Sequence, residues 1–172
     1  MSADAPLGVE VGESFVGEGA EAAHVNTVLG DREGPVGTAW ATALATPSAG
    51  HAPFVAVLRP GLPTKPLTLF VNKAAIASDG HGRLTWGAAQ AGVAAGVADA
   101  VVELGLDDDE ADRLLLIAAV WVDPDASDAE LVHHNNRSAT FQALLAGRAR
   151  QPRLADVLEA RHHPENPFFT PG

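Results

Sequence analysis

The chain has no cysteine, no tyrosine and a single methionine. Without cysteine there is no disulfide framework, no thiolate nucleophile and no cysteine-ligated zinc or iron–sulfur site, a state compatible with an intracellular compartment. Positive charge is scarce: 11 lysines and arginines stand against 22 aspartates and glutamates, for a net charge of −11. Binding to nucleic acid depends on basic residues that neutralise phosphates, so no nucleic-acid partner is expected. The arginines that exist gather late, at Arg148, Arg150, Arg153 and Arg161. They read as a solvated tail rather than a polyanion site.

Long apolar runs are missing too. The longest, Leu114 to Val122, is too short to cross a bilayer as a helix. Met1 to Pro6 has neither the basic nor the apolar stretch of a secretory signal. A soluble, cytoplasmic protein with no membrane partner is expected. The glycines at Gly12, Gly17 and Gly19 do not make a dinucleotide fingerprint, no Walker-type lysine follows a glycine loop, and no Gly-x-Ser-x-Gly elbow occurs. The seven histidines include the pairs His133-His134 and His162-His163, whose side chains diverge on any regular element, and no His-x-x-x-His pair exists. The acidic run Asp107 to Asp112 lacks the alternating ligands and the glycine of an EF-hand loop. No metal site is expected.

What is present fits one compact domain: 172 residues, 47% hydrophobic and 19% charged. Val9 and Val11 lead to Phe15-Val16, and Ala23, Val25, Thr27 and Leu29 alternate with His24, Asn26 and Val28, so both stretches read as strands joined at Gly17-Glu18-Gly19. A helix is predicted from Val36 to Ala45, stopped by Pro47. Phe54 to Leu58 and Leu67 to Val71 read as strands separated by the breaker Pro60-Gly61-Leu62-Pro63. Ala88 to Leu104 has helical spacing, with small residues that invite close packing and Gly105 placed for a left-handed cap. Asp107 to Asp112 reads as a loop or the first turn of a short helix. Leu114 to Val122 reads as a strand buried on both faces, and Ala139 to Ala146 as a last helix. Residues 1–150 form the expected domain, and 151–172 an extension draped over the surface or a neighbouring subunit.

His24 is the residue in this pattern best suited to chemistry. The period of two sets it beside Asn26, away from the apolar face of its strand. It reads either as a polar residue on an exposed strand face or as a general acid or base, since histidine titrates near neutral pH.

The segment Gly17-Glu18-Gly19-Ala20-Glu21-Ala22-Ala23-His24-Val25-Asn26 resembles the surroundings of the active-site histidine in the formaldehyde-activating enzyme family. The likeness continues in order through Gly34 to Ala39, Leu58 to Pro66, Trp86 to Gln90 and Asn136 to Thr140. The resemblance implies a compact two-layer α+β sandwich, ribosomal-protein-domain-like, with element order β-β-α-β-β-α-β-α. It also implies a homopentamer with sites between subunits, and condensation of formaldehyde with tetrahydromethanopterin or a related pterin, with loss of water. By matching positions, His24 would be the proton donor, and Asn26, Val55, Lys73, Ala75 and Gln90 would line the substrate site.

Departures from the family pattern fall at two positions of that set and at one stretch outside it. Asn26 stands where aspartate is usual, Ala75 where threonine is usual, and Asn135-Asn136-Arg137 where the family has Tyr-Asn-Tyr. Each lost polar contact costs about 1 kcal/mol or more of recognition. Two alternatives follow: a non-catalytic carrier or sensor of a pterin or formaldehyde adduct, and a relative turned to another small substrate.

Overall fold

The computed structural model describes residues 8–167 and 169–171. The N-terminal stretch Met1 to Pro6, together with Phe168 and Gly172 of the extension, lies outside the described residues.

Strand β1 (Glu10–Val16) and strand β2 (Ala23–Asp31) pair as an antiparallel hairpin in which Phe15 stands opposite His24 and Glu13 opposite Asn26. The turn needs glycine: Gly17 and Gly19 have φ of 90° and 64°, a region in which a side chain is strained. Helix α1 (Pro35–Ala45) follows, then β3 (Phe54–Val55), β4 (Val57–Arg59), β5 (Leu62–Pro63) and β6 (Leu67–Asn72). Short helix α2 (Asp79–Arg83) runs through a π-helical segment (Leu84–Ala89) into α3 (Gln90–Leu104). Helix α4 (Asp108–Arg113), strand β7 (Leu114–Trp121), helix α5 (Ala129–Arg148) and helix α6 (Leu154–Ala160) complete the chain.

The main sheet has the order β1-β2-β7-β6-β3, parallel only between β6 and β7. The protein is therefore α+β. The predicted element order holds for the principal elements, to which the structure adds the small β4–β5 hairpin and helices α2, α4 and α6. Val25, Leu29, Leu116, Ala118 and Val120 from the sheet join Val93, Val97, Val132, Ala139 and Leu144 from α3 and α5 in one buried cluster. Burying each such aliphatic side chain contributes about 1.5–3 kcal/mol. The two helices approach closely because of Gly92 and Gly96: a Cβ on Gly96 would lie 2.4 Å from the Arg137 carbonyl oxygen.

Three elements differ from the sequence reading. The run 54–58 is not one strand. At Ala56 the chain leaves the main sheet, its N–H donating to the Thr68 carbonyl at 2.8 Å while its own carbonyl accepts from Thr64 N–H at 3.2 Å. The supposed breaker at Leu62-Pro63 is a strand paired with β4. Of the two readings of the acidic run, the short helix holds: it forms α4, capped by Asp107, whose Oδ1 accepts from Glu110 N–H at 2.8 Å. Helix α5 begins ten residues before the predicted start, at Ala129 rather than Ala139. Its first half hides polar residues: Asn135 donates to the Glu21 carbonyl at 2.9 Å and Asn136 to the Val132 carbonyl at 2.8 Å. Each amide nitrogen finds an acceptor in this way, while Asn136 Oδ1 is buried without a partner among the described residues, and both side chains erase the apolar period that marks a helix. Gly105 does form the expected left-handed cap, with φ of 65°.

Candidate functional site

The outward faces of β2 and β6 converge at one end of the sheet. Strand β2 alternates buried and half-buried residues, and His24 and Asn26 fall on the half-buried side. Lys73 follows β6 directly, held by its own N–H donating to the Val120 carbonyl at 2.7 Å. The preceding Asn72 is buried and donates to the Gly50 and Ala74 carbonyls at 2.8 and 2.7 Å, fixing where the chain leaves the sheet.

Lys73 Nζ donates to Asn26 Oδ1 at 2.7 Å and lies 3.2 Å from His24 Nδ1. On its other side His24 Nε2 is 3.0 Å from Glu13 Oε1. Because an ammonium can only donate, Nδ1 accepts and Nε2 carries the proton, which it donates to Glu13. His24 is thus a neutral imidazole in a defined tautomer. Burial lowers its pKa below the usual 6.5, the Lys73 charge lowers it further, and Glu13 opposes both. Burial also lowers the pKa of Lys73, against the pull of Glu13. Phe15 flanks the imidazole at 5.6 Å between ring centroids. A cleft of about 460 Å³ opens at this end, lined in part by Phe15, Trp121 and the Gly17–Gly19 turn. Phe15 and Trp121 are the two cross-strand neighbours of His24.

Of the predicted site residues, His24, Asn26 and Lys73 come together. Val55 does not join them within one chain. It shares their sheet face, but its register row runs through Leu69 and Ile117 to Val28. That places it about 14 Å across the sheet and about 13 Å along it from His24, by ordinary strand dimensions. Gln90 lies on Val57 rather than beside His24: its amide donates to the Val57 carbonyl at 2.9 Å and accepts from Val57 N–H at 3.4 Å. Gln90 is also not at a free helix start, because the helical run continues back through the π segment. Ala75 is exposed, in the loop beside Gly50.

Glu13 is the member of the cluster that sequence reasoning missed. The signal existed: folding the 10–16 and 23–31 stretches about the Gly17–Gly19 turn places Glu13 opposite Asn26, on the face of His24. Among the described residues no group of three histidine, cysteine, aspartate or glutamate side chains is placed to hold a metal ion. No helix among them is long and apolar enough to cross a membrane.

A histidine in a fixed tautomer, a lysine and a carboxamide beside an open cleft form a polar site of small-molecule size on an α+β scaffold. Residues 11–169 match the family model described as formaldehyde-activating enzyme (Fae), and the chain belongs to that family. It is similar to a 5,6,7,8-tetrahydromethanopterin hydro-lyase from Methanosarcina barkeri, 37% identical over 158 residues that cover 92% of this chain and 89% of the relative. It is also similar to proteins named bifunctional enzyme Fae/Hps. The one from Methanosphaera stadtmanae is 37% identical over 93% of this chain, and the one from Methanococcoides burtonii is 44% identical over 78%. The matched region spans 39% and 34% of the length of those two bifunctional proteins.

Proposed function

We propose that this chain is a lyase that condenses formaldehyde with the amines of tetrahydromethanopterin or a related pterin, forming a methylene bridge and releasing water, with His24 as the proton donor. The single observation that carries the reading is the placement of His24, its Nε2–H on the Glu13 carboxylate at 3.0 Å and its Nδ1 3.2 Å from the Lys73 ammonium. An amine adds to formaldehyde to give a carbinolamine, whose hydroxide leaves only when protonated. His24 first takes a proton from Lys73 at Nδ1 and then gives its Nε2 proton to that oxygen, while the Glu13 carboxylate steadies the imidazolium between the two events. The second amine then closes on the iminium. Positioned proton transfer of this kind contributes about 10²–10⁴-fold in rate.

The substrate site we propose comprises His24, Asn26, Val55, Lys73, Ala75 and Gln90, contributed by more than one copy of the chain. Support comes from the separation of two groups within one copy: His24, Asn26 and Lys73 at one end, Val55 and Gln90 at the other. A cyclic homo-oligomer, a pentamer by family resemblance, would bring one group against the other across each interface. The exposed Trp86, beside a second cleft of about 520 Å³ near α2, suits such a contact. Residues 1–150 form the working domain, and 151–172 an extension whose Pro167 reaches the cleft beside Phe15. The place of action we propose is the cytoplasm.

Titration with tetrahydromethanopterin and, separately, tetrahydrofolate tests the reading, since Trp121 beside His24 reports binding by fluorescence. Saturable quenching by the first, followed by faster methylene-bridge formation when formaldehyde is added, supports it. Binding without acceleration favours the non-catalytic carrier, and binding of neither pterin removes a pterin as the acceptor.

A further inference from the structure

The chain has only two lysines, and their surroundings are opposite. Lys65 is exposed and paired with Asp112 at 2.9 Å, which holds its ammonium in the charged form. Lys73 is half-buried, and its partners within hydrogen-bond distance are the neutral Asn26 amide and the His24 imidazole. Among the described residues it has no carboxylate within ion-pair distance; Glu13 is engaged with His24. An ammonium taken partly out of water, with no carboxylate in direct contact and with a proton acceptor 3.2 Å away, is set to become a free amine.

We propose that Lys73 is itself a nucleophile that captures formaldehyde covalently and hands the carbon to the acceptor amine, a step that deepens and rests on the formaldehyde-handling reading above. The Lys73 ammonium passes one proton to His24 Nδ1. The freed nitrogen lone pair forms a bond to the formaldehyde carbon, and the C–O π pair moves to oxygen. A proton passes from nitrogen to that oxygen, giving a carbinolamine. His24 then returns its proton to the hydroxyl, the C–O bond breaks, water leaves, and nitrogen supplies the pair for the C=N bond. An ammonium and formaldehyde thus become an iminium and water, with no oxidant, reductant or net proton needed. The acceptor amine adds to the iminium carbon, and collapse of the resulting aminal expels the Lys73 amine. The Asn26 carbonyl aims the lysine without fixing its charge as a carboxylate would.

The experiment uses the full wild-type chain, with Lys65 as internal control. Protein is incubated near neutral pH with isotopically labelled formaldehyde and cyanoborohydride, which converts each iminium to an N-methyl group, and methylation at the two lysines is followed by peptide mass mapping. Lys73 is expected to be labelled about tenfold faster than Lys65 or more, and His24→Gln to slow the labelling of Lys73 while leaving that of Lys65 unchanged. Labelling of Lys65 at an equal or greater rate overturns the proposal. A parallel assay without reductant measures condensation with tetrahydromethanopterin. Acceleration there with no preference for Lys73 removes covalent capture and leaves the condensation reading standing. Preference for Lys73 without acceleration keeps covalent capture and removes the pterin as the acceptor.

Discussion

Replacing Asn26 by aspartate would turn a neutral contact into an ion pair at the centre of the site. The Lys73 ammonium is 2.7 Å from Asn26 Oδ1, so the new carboxylate would need no movement to meet it. Two unit charges at 4 Å attract by about 4 kcal/mol at an effective dielectric of 20. Both side chains are only partly buried, and the carboxylate must also be desolvated, so most of that attraction is lost to solvent. A coupling of about 1 kcal/mol should remain. A double-mutant cycle of Asn26→Asp with Lys73→Met, read by urea unfolding at neutral pH, isolates it. The same energy makes the free lysine amine about fivefold rarer, so Asn26→Asp should slow the reductive methylation of Lys73 by about that factor. A coupling indistinguishable from zero would refute the geometry on which the site is built.

Gly96→Ala should destabilise the protein. The added methyl would lie 2.4 Å from the Arg137 backbone carbonyl and 2.9 Å from Thr140, a clash with backbone that puts the overpacking cost at about 2–3 kcal/mol, offset by about 1 kcal/mol of helix propensity. A net loss of about 1–2 kcal/mol lowers Tm by about 3–6 °C in a calorimetric scan, and a stabilised variant would contradict the close α3–α5 contact. His81 is buried, with Nδ1 accepting from Ala77 N–H at 3.1 Å and Nε2 donating to the Val122 carbonyl at 3.0 Å. His81→Leu orphans both backbone groups and should cost about 2–4 kcal/mol in urea unfolding. For His24 the folded pKa lies below the unfolded value, so the unfolded chain binds more protons in that window and stability rises with pH through it. Acidification from about pH 8 to about pH 5.5 should therefore destabilise the wild type more than His24→Gln.

What was legible in the sequence follows from how strongly each pattern is constrained. The alternation from Ala23 to Leu29 placed His24 and Asn26 on the face where they stand, because a strand buried on one side admits one register. Lys73 was placed at a strand end by the apolar run before it. That it meets Asn26 depends on the parallel pairing of β6 with β7, a long-range contact with no local mark. Glu13 was hidden for a related reason: the stretch read as a strand, but its partners are set by the turn. The amide of Gln90 is spent on the backbone of Val57, a role that no spacing reveals. Helix α6 was missed although Leu154, Val157 and Leu158 stand at helical spacing, because the stripe is only seven residues long. Around them lie prolines that suggest an irregular segment.

In the proposed reaction His24 supplies the proton that lets water leave. The measurement that bears on it most directly is the rate of methylene-tetrahydromethanopterin formation with wild-type protein, with His24→Gln and with no protein, at equal formaldehyde and pterin. With the variant's fold verified by its urea midpoint, the wild type is predicted to accelerate the reaction and His24→Gln to lose about a hundredfold or more of that acceleration. An acceleration that survives His24→Gln unchanged would contradict the account.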